Sequence, residues 1–249
     1  MTKIANPQEK GAGLTKTITS PVNRRSFLKY AGAGAALSTL ILVGCDKDDN
    51  NMDTSGVNLG SGDVGVLNYA YALEQLEAAF YTTVVASAAF ATTFPSALER
   101  SVLTDIRDHE IAHRDFFKAA ITAAAPADII PGLTPDFSSI NFNDRMSVLT
   151  AAKIFEDLGV AAYNGAGKLL VNPAYLTIAG KIVSVEARHA AEIRDIIENG
   201  TFASGAAGIV GGNLISAQGL DVALAPSVVL GAAQKYIKEK INGSNLPND

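Results

Sequence analysis

The stretch Asp108-His109-Glu110-Ile111-Ala112-His113 and its partial echo Glu186-Ala187-Arg188-His189 each place a glutamate three residues before a histidine. The chain has only three histidines. Two such offsets among three histidines arise by accident with odds below about 1% at this glutamate content. Residues i and i+3 share one face of an α-helix, so each pair aims a carboxylate and an imidazole in the same direction.

Working outward, four long segments carry helical periodicity. The first runs over 64–94 and the second over 95–125, with Pro95 and Ser96 at its start. Residues 126–143 hold Pro126, Pro131 and Pro135 and few helix formers, which makes a connection too long for a simple turn. Asp144 is a good N-cap for a third helix over 144–171. Asn172-Pro173 then breaks the chain before a fourth helix over 173–200, with Gly200 as its stop. Short, long and short connections predict an all-α four-helix bundle with one long crossover between helices two and three. Residues 201–224 are Gly/Ala-rich and lack the strand–turn–helix context of a phosphate loop, so they read as loop. A fifth helix is predicted over 226–241, packed on the outside of the bundle.

Each long helix has an acid inside its apolar stripe. The stripes are Ala70, Glu74, Glu77, Tyr81, Val84; Leu103, Ile106, Glu110, His113, Phe117, Ile121; Leu149, Ala152, Glu156, Gly159, Tyr163, Leu170; and Ile178, Ile182, Glu186, His189, Ile193, Ile197. A bare carboxylate in a bundle core costs several kcal/mol unless it is paired or coordinated. No inward Lys or Arg repeats beside these glutamates, so a cation from outside the chain is the simplest partner. Glu74, Glu110, Glu156 and Glu186 with two divalent ions and neutral His113 and His189 form an electrically neutral core. Carboxylate and imidazole donors without thiolate favour iron or manganese over structural zinc. The spacing Glu74–Tyr81 repeats as Glu156–Tyr163, and each is followed by a helix bearing Glu-x-x-His: the chain reads as two helix pairs of one design.

This pattern resembles the ferritin-like superfamily, in which two helices give one Glu each and the other two give Glu-x-x-His. Leu73-Glu74-Gln75-Leu76-Glu77-Ala78-Ala79-Phe80-Tyr81 is similar to the first-helix signature of a branch that includes desiccation-related proteins. The resemblance covers about residues 64–200. It implies two Fe or Mn ions held by Glu74, Glu110, His113, Glu156, Glu186 and His189, with Glu110 and Glu186 bridging. It also implies redox chemistry on Fe(II), dioxygen or peroxide. Tyr81 and Tyr163, two turns along, are placed to hydrogen-bond a ligand or pass an electron, ordinary core packing being the competing reading. Glu77 departs from the repeat, since Gly159 stands at the matching position; it reads as a rim residue, with a spare ligand or proton relay as the alternative.

Three rivals compete. A bundle could keep the six polar groups without metal, satisfied by each other and water. A lipid-anchored structural or stress-protective protein could keep the fold with little catalysis. His109-Glu110-Ile111-Ala112-His113 also matches the zinc-protease motif, with His109 and His113 as ligands and Glu110 as base. That reading needs His109 to face inward, whereas its neighbours Arg107, Asp108 and Arg114 put it on an outer face, and it leaves Glu74 and Glu156 unexplained.

The first 44 residues read as an export segment. Asn23-Arg24-Arg25-Ser26-Phe27-Leu28-Lys29 resembles the twin-arginine motif, and Leu42-Val43-Gly44-Cys45 resembles a bacterial lipobox that lipidates the cysteine. The apolar run between them is too short to span a bilayer comfortably. Cys45 is the only cysteine, so its lipidation leaves no thiol for disulfides or thiolate metal sites. Residues 45–63 read as a flexible linker, 64–200 as the bundle, and 201–249 as the Gly/Ala-rich segment and last helix. From Cys45 onward the chain holds 14 basic and 24 acidic residues, a net charge of −10, which argues against a nucleic-acid partner. The expected location is a bacterial cell envelope, periplasmic or surface-exposed. Its expected partners are metal ions, a small oxidant and the membrane through the anchor alone, with homo-oligomerisation left open.

Overall fold

The computed structural model describes residues 56–203 and 220–247. The export segment, Cys45 and most of the predicted linker lie outside the described residues, as does most of the Gly/Ala-rich loop.

The chain runs β1 (Val57–Asn58), α1 (Gly62–Ala86), α2 (Phe90–Thr93), α3 (Ala97–Ala124), α4 (Arg145–Gly167), α5 (Pro173–Ile197), α6 (Pro226–Ala233), a 3-10 turn (Gln234–Tyr236) and β2 (Ile241–Asn242). The four long helices, α1, α3, α4 and α5, form the predicted bundle. Capping follows the sequence: Ser96 Oγ accepts from Glu99 N, Asp144 Oδ1 from Ser147 N at 2.8 Å, and Asn172 Oδ1 from Ala174 N at 2.9 Å ahead of Pro173. Among the described residues no helix is long and apolar enough to cross a membrane.

Helix directions follow from the contacts. Tyr81 meets Glu156 and Tyr163 meets Glu74, so α1 and α4 are antiparallel. His109 meets His189 and His113 meets Glu186, so α3 and α5 are antiparallel too. The 125–144 connection carries the chain along the whole bundle. Arg145 at the start of α4 pairs at 2.8 Å with Glu99, in the first turn of α3. Buried Asn68 holds the near end of this crossover, donating to Asp128 O and accepting from Ile130 N. Phe137 and Phe142 pack on Phe80, which stacks edge-on against Phe155 at 4.9 Å. Aromatic burial and backbone capture thus order a proline-rich segment.

Besides a fourth long helix that ends at Ile197 rather than 200, three helix ends differ from the sequence reading by four residues or more. The first helix ends at Ala86 rather than 94. Ser87 turns to extended backbone, its Oγ caps Ala89 N, and the short α2 follows, with Phe94 buried just beyond it. The third helix ends at Gly167 because Asp63 accepts from the amides of Val171 and Asn172 at 2.8 and 2.9 Å, pulling the turn onto the start of α1. The last helix stops at Ala233 and does not reach 241. Gln234 takes over: its Nε2 donates to Ile237 O and Glu239 O, and its Oε1 accepts from Ile241 N. Leaving the helix there lets Tyr236 pack at 4.7 Å on Phe155, lets β2 pair in parallel with β1, and lets Ile237 form an isolated antiparallel bridge with Pro135 in the crossover.

Gly165 is required by close approach. A Cβ there would stand 1.8 Å from Leu224 O, and Leu224 N donates to Ala161 O, so the return segment lies directly on α4. Gly165→Ala is expected to displace that segment and cost about 1–3 kcal/mol, read as a lower urea midpoint.

Candidate metal centre

Each long helix brings its stripe glutamate to the same level of the bundle: Glu74 from α1, Glu110 from α3, Glu156 from α4 and Glu186 from α5. All four are at most 1% exposed. His113 and His189, one turn on from Glu110 and Glu186, turn Nδ1 into the same space. His113 Nδ1 lies 2.8 Å from Glu186, 3.4 Å from Glu110 and 3.5 Å from Glu74. His189 Nδ1 lies 2.8 Å from Glu110, 3.4 Å from Glu156 and 3.5 Å from Glu186. Two overlapping donor sets result: Glu74, Glu110, His113, Glu186 and Glu110, Glu156, Glu186, His189. Within each set the donor atoms fall within 4.8 Å of one another. Glu110 and Glu186 belong to both sets.

The carboxylate oxygens divide in a telling way. Glu74 and Glu156 each give one oxygen to a phenol of the opposite helix. Tyr81 donates to Glu156 Oε1 at 2.5 Å, and Tyr163 donates to Glu74 Oε1. Their other oxygens, both oxygens of Glu110 and Glu186, and Nδ1 of both histidines are buried without an aligned hydrogen-bond partner. A buried polar atom with no partner is costly, and here such atoms converge from four helices. Oxygen and imidazole donors in two sets sharing two carboxylates suit a pair of hard or borderline divalent ions. The residues present therefore fit a dinuclear centre.

The tyrosines act by orienting. Tyr81→Phe and Tyr163→Phe are each expected to lower stability by about 1–3 kcal/mol, because a buried carboxylate oxygen loses its donor, while the metal-binding capacity is kept. Calorimetric melting together with metal analysis of the two variants checks this.

In the protein without metal, burial pushes Glu156 up to about 8 despite His189, and pushes Glu74 well above the ordinary carboxylate range, reinforced by Glu186. Burial also raises Glu110, but its close contacts with His113 and His189 outweigh that and hold it at about 2. Burial lowers the imidazoles, yet the carboxylates around them prevail. His189 is driven up to about 12, chiefly by Glu156 and Glu110, and His113 higher still by Glu110, Glu186 and Glu74. Protons thus do in the metal-free cluster what ions would do in the loaded one: they offset crowded negative charge.

Two sequence expectations need correction. Glu77 is not a rim residue but is buried beside the cluster, where burial and Glu110 push its carboxyl well up. A Cβ on Gly159 would come within 3.1 Å of Glu77 Oε1. The break in the repeat is therefore a fit, with one helix adding a carboxylate and the facing one dropping its side chain. His109 does not point away either. Its ring is stacked against His189 with centroids 5.1 Å apart, and its Nδ1 lies 2.9 Å from His189 Nε2. It is nevertheless no member of either donor set, so the zinc-protease arrangement, which needs His109 and His113 on one ion, is not formed.

One buried ion pair had no signal in the sequence. Asp157 accepts from Arg194 at 2.5 Å and meets Lys153 at 3.1 Å. Arg194 is an inward cation, but it is committed to Asp157 and leaves the glutamates uncompensated.

The family model described as ferritin-like domain matches residues 62–199, the span of the four long helices. A model of the twin-arginine translocation pathway signal sequence matches residues 21–40. No curated protein matches the chain.

Proposed function

The chain belongs to the ferritin-like family and carries a twin-arginine signal that exports it into the cell envelope, and from this we propose that it is a lipid-anchored protein holding a dinuclear iron or manganese centre for redox chemistry. The observation that carries the reading is the convergence of six carboxylate oxygens and two imidazole nitrogens, buried and without aligned partners. Glu74 and His113 would hold one ion, Glu156 and His189 the other, and Glu110 and Glu186 both. Once bound, the ions would supply one-electron steps for Fe(II), dioxygen or peroxide as substrate.

The chain's own residues set the conditions for that chemistry. Tyr81 and Tyr163 fix which oxygen of Glu156 and of Glu74 faces inward, and their hydrogen bonds to those glutamates give an electron a route through a phenol. Phe117 on α3 packs its ring 6.3 Å from Tyr163 and helps exclude water from that side. Glu77 adds a protonatable carboxyl beside the donor sets. Cys45, as the lipidated first residue of the mature chain, would tether the bundle to the membrane through the residues that precede β1.

Elemental analysis of protein purified from its native host is expected to give two ions of iron or manganese per chain. Addition of dioxygen or peroxide to the Fe(II)-loaded protein should oxidise it faster than a six-residue ligand knockout does. A metal-free preparation with all six side chains intact would overturn the redox reading in favour of a structural, stress-protective protein. Mass spectrometry of the mature N-terminus tests the anchor: an acylated Cys45 is expected, and an unmodified one would remove it.

A further inference from the structure

The contact between His109 and His189 lies outside both donor sets. His189 has two ring nitrogens in different surroundings. Nδ1 faces Glu110, Glu156 and Glu186 inside the bundle. Nε2 faces outward and meets Nδ1 of His109 at 2.9 Å, with the two rings nearly parallel, 15° apart. If Nδ1 of His189 binds an ion, its proton must sit on Nε2, and the neighbouring nitrogen has to be an acceptor. His109 Nδ1 supplies that acceptor when His109 carries its own proton on Nε2.

The other half of the bundle lacks this device. Position 109 is one residue before Glu110, and its counterpart before Glu186 is Val185, which has no acceptor to offer. The pseudo-symmetric halves therefore differ at one place that touches a donor ring.

We propose that His109 is a positioning residue that accepts a hydrogen bond from His189 Nε2, locks Nδ1 of His189 toward the carboxylates, and so tightens the Glu156–His189 metal position relative to the position at His113, which has no such acceptor at Val185. This rests on the dinuclear reading and adds an inequivalence that the four-helix pattern alone does not contain. His109 sits exposed at the surface of α3, where its own ring adds nothing to the core. Its contribution runs through its contact with His189 rather than through the apolar core. A supporting partner outside the donor set commonly changes metal affinity by about 10–100-fold.

The test uses Zn(II) as a diamagnetic probe of the whole mature chain, with binding followed by calorimetry and by histidine ring ¹⁵N spectra. With three histidines, each ring can be assigned. In the wild-type protein two binding steps are expected, with the proton of the metal-bound His189 on Nε2 and slow to exchange. His109→Ala should weaken one step about 10–100-fold, leave the other in place and speed exchange of that proton. His109→Asn puts an amide oxygen where Nδ1 was and should restore the step and the slow exchange. Unchanged steps and exchange in His109→Ala would overturn the proposal while leaving two-ion binding intact. Loss of both steps in that variant would overturn it as well, by making His109 a ligand. Absence of two steps in the wild-type protein would instead remove the dinuclear reading on which the proposal stands.

Discussion

Replacing Glu110 with Gln is expected to abolish both ions at once, whereas Glu74→Gln leaves one. Glu110 belongs to both donor sets, lying 3.4 Å from His113 Nδ1 and 2.8 Å from His189 Nδ1. Its two oxygens are turned to opposite sides, Oε2 toward His113 and Oε1 toward His189. An amide keeps the volume but loses the charge, and its NH2 group would face a cation on one side or the other. Glu186 makes the same double contact, so Glu186→Gln should behave alike. Glu74 and Glu156 belong to one set each, and their loss should cost one ion each. Metal per chain is the first readout. The second is melting: ions at about a thousand times their dissociation constant add about 4 kcal/mol per site to the wild-type protein. Glu110→Gln should gain nothing from the same addition. A Glu110 variant that retains one ion would show that the two sets do not share a bridge.

The contrast between what periodicity revealed and what it hid has a physical basis. The four glutamates were readable because each breaks its own helix's apolar stripe, a rule that needs no knowledge of neighbours. The caps at Ser96 and Asp144, and the break at Asn172-Pro173, are readable for the same local reason. Glu77's burial is not legible in its own helix because it depends on a hole made by Gly159, on another helix. His109's inward contact is not legible either, because it lies beside the stripe, one turn from both Ile106 and His113. Charged neighbours at 107 and 108 suggested an outer face, yet a long imidazole at the edge of a stripe can fold over whatever the adjoining helix presents, here His189. Arg194 and Asp157 find each other only once α4 and α5 are packed. The last helix failed at Gln234 because one side chain's hydrogen bonds outcompeted the next helical turn.

Metal affinity is expected to rise steeply with pH between 6 and 8. In the metal-free protein Glu156 is pushed up to about 8, Glu74 is raised well above its usual range, and both imidazoles are raised, His189 to about 12. At pH 7 these groups hold protons that must leave before their donor atoms can bind. With at least one proton displaced per ion, affinity gains at least about tenfold per pH unit, and a pH-stat or buffer-dependent calorimetric titration should record the release. The stability of the metal-free protein should run the opposite way. Glu156, ordinarily near 4.5, has a raised folded value, so the fold favours its protonated form and loses that preference as pH climbs from about 4.5 to about 8. The raised histidines contribute stability that is complete below about 6.5 and erodes as pH rises toward about 12. Glu110, held at about 2, contributes in the other sense, stabilising above its usual value and losing that contribution as pH falls from about 4.5 to about 2. The metal-free bundle should therefore be most stable near pH 4.5 and weaken as pH rises through 6 to 8, while the loaded bundle gains over that interval. The gap between the two melting temperatures widens with pH. A gap that stays constant from pH 6 to 8 would mean that the buried carboxylates are already ionised without metal, and that something other than protons balances them.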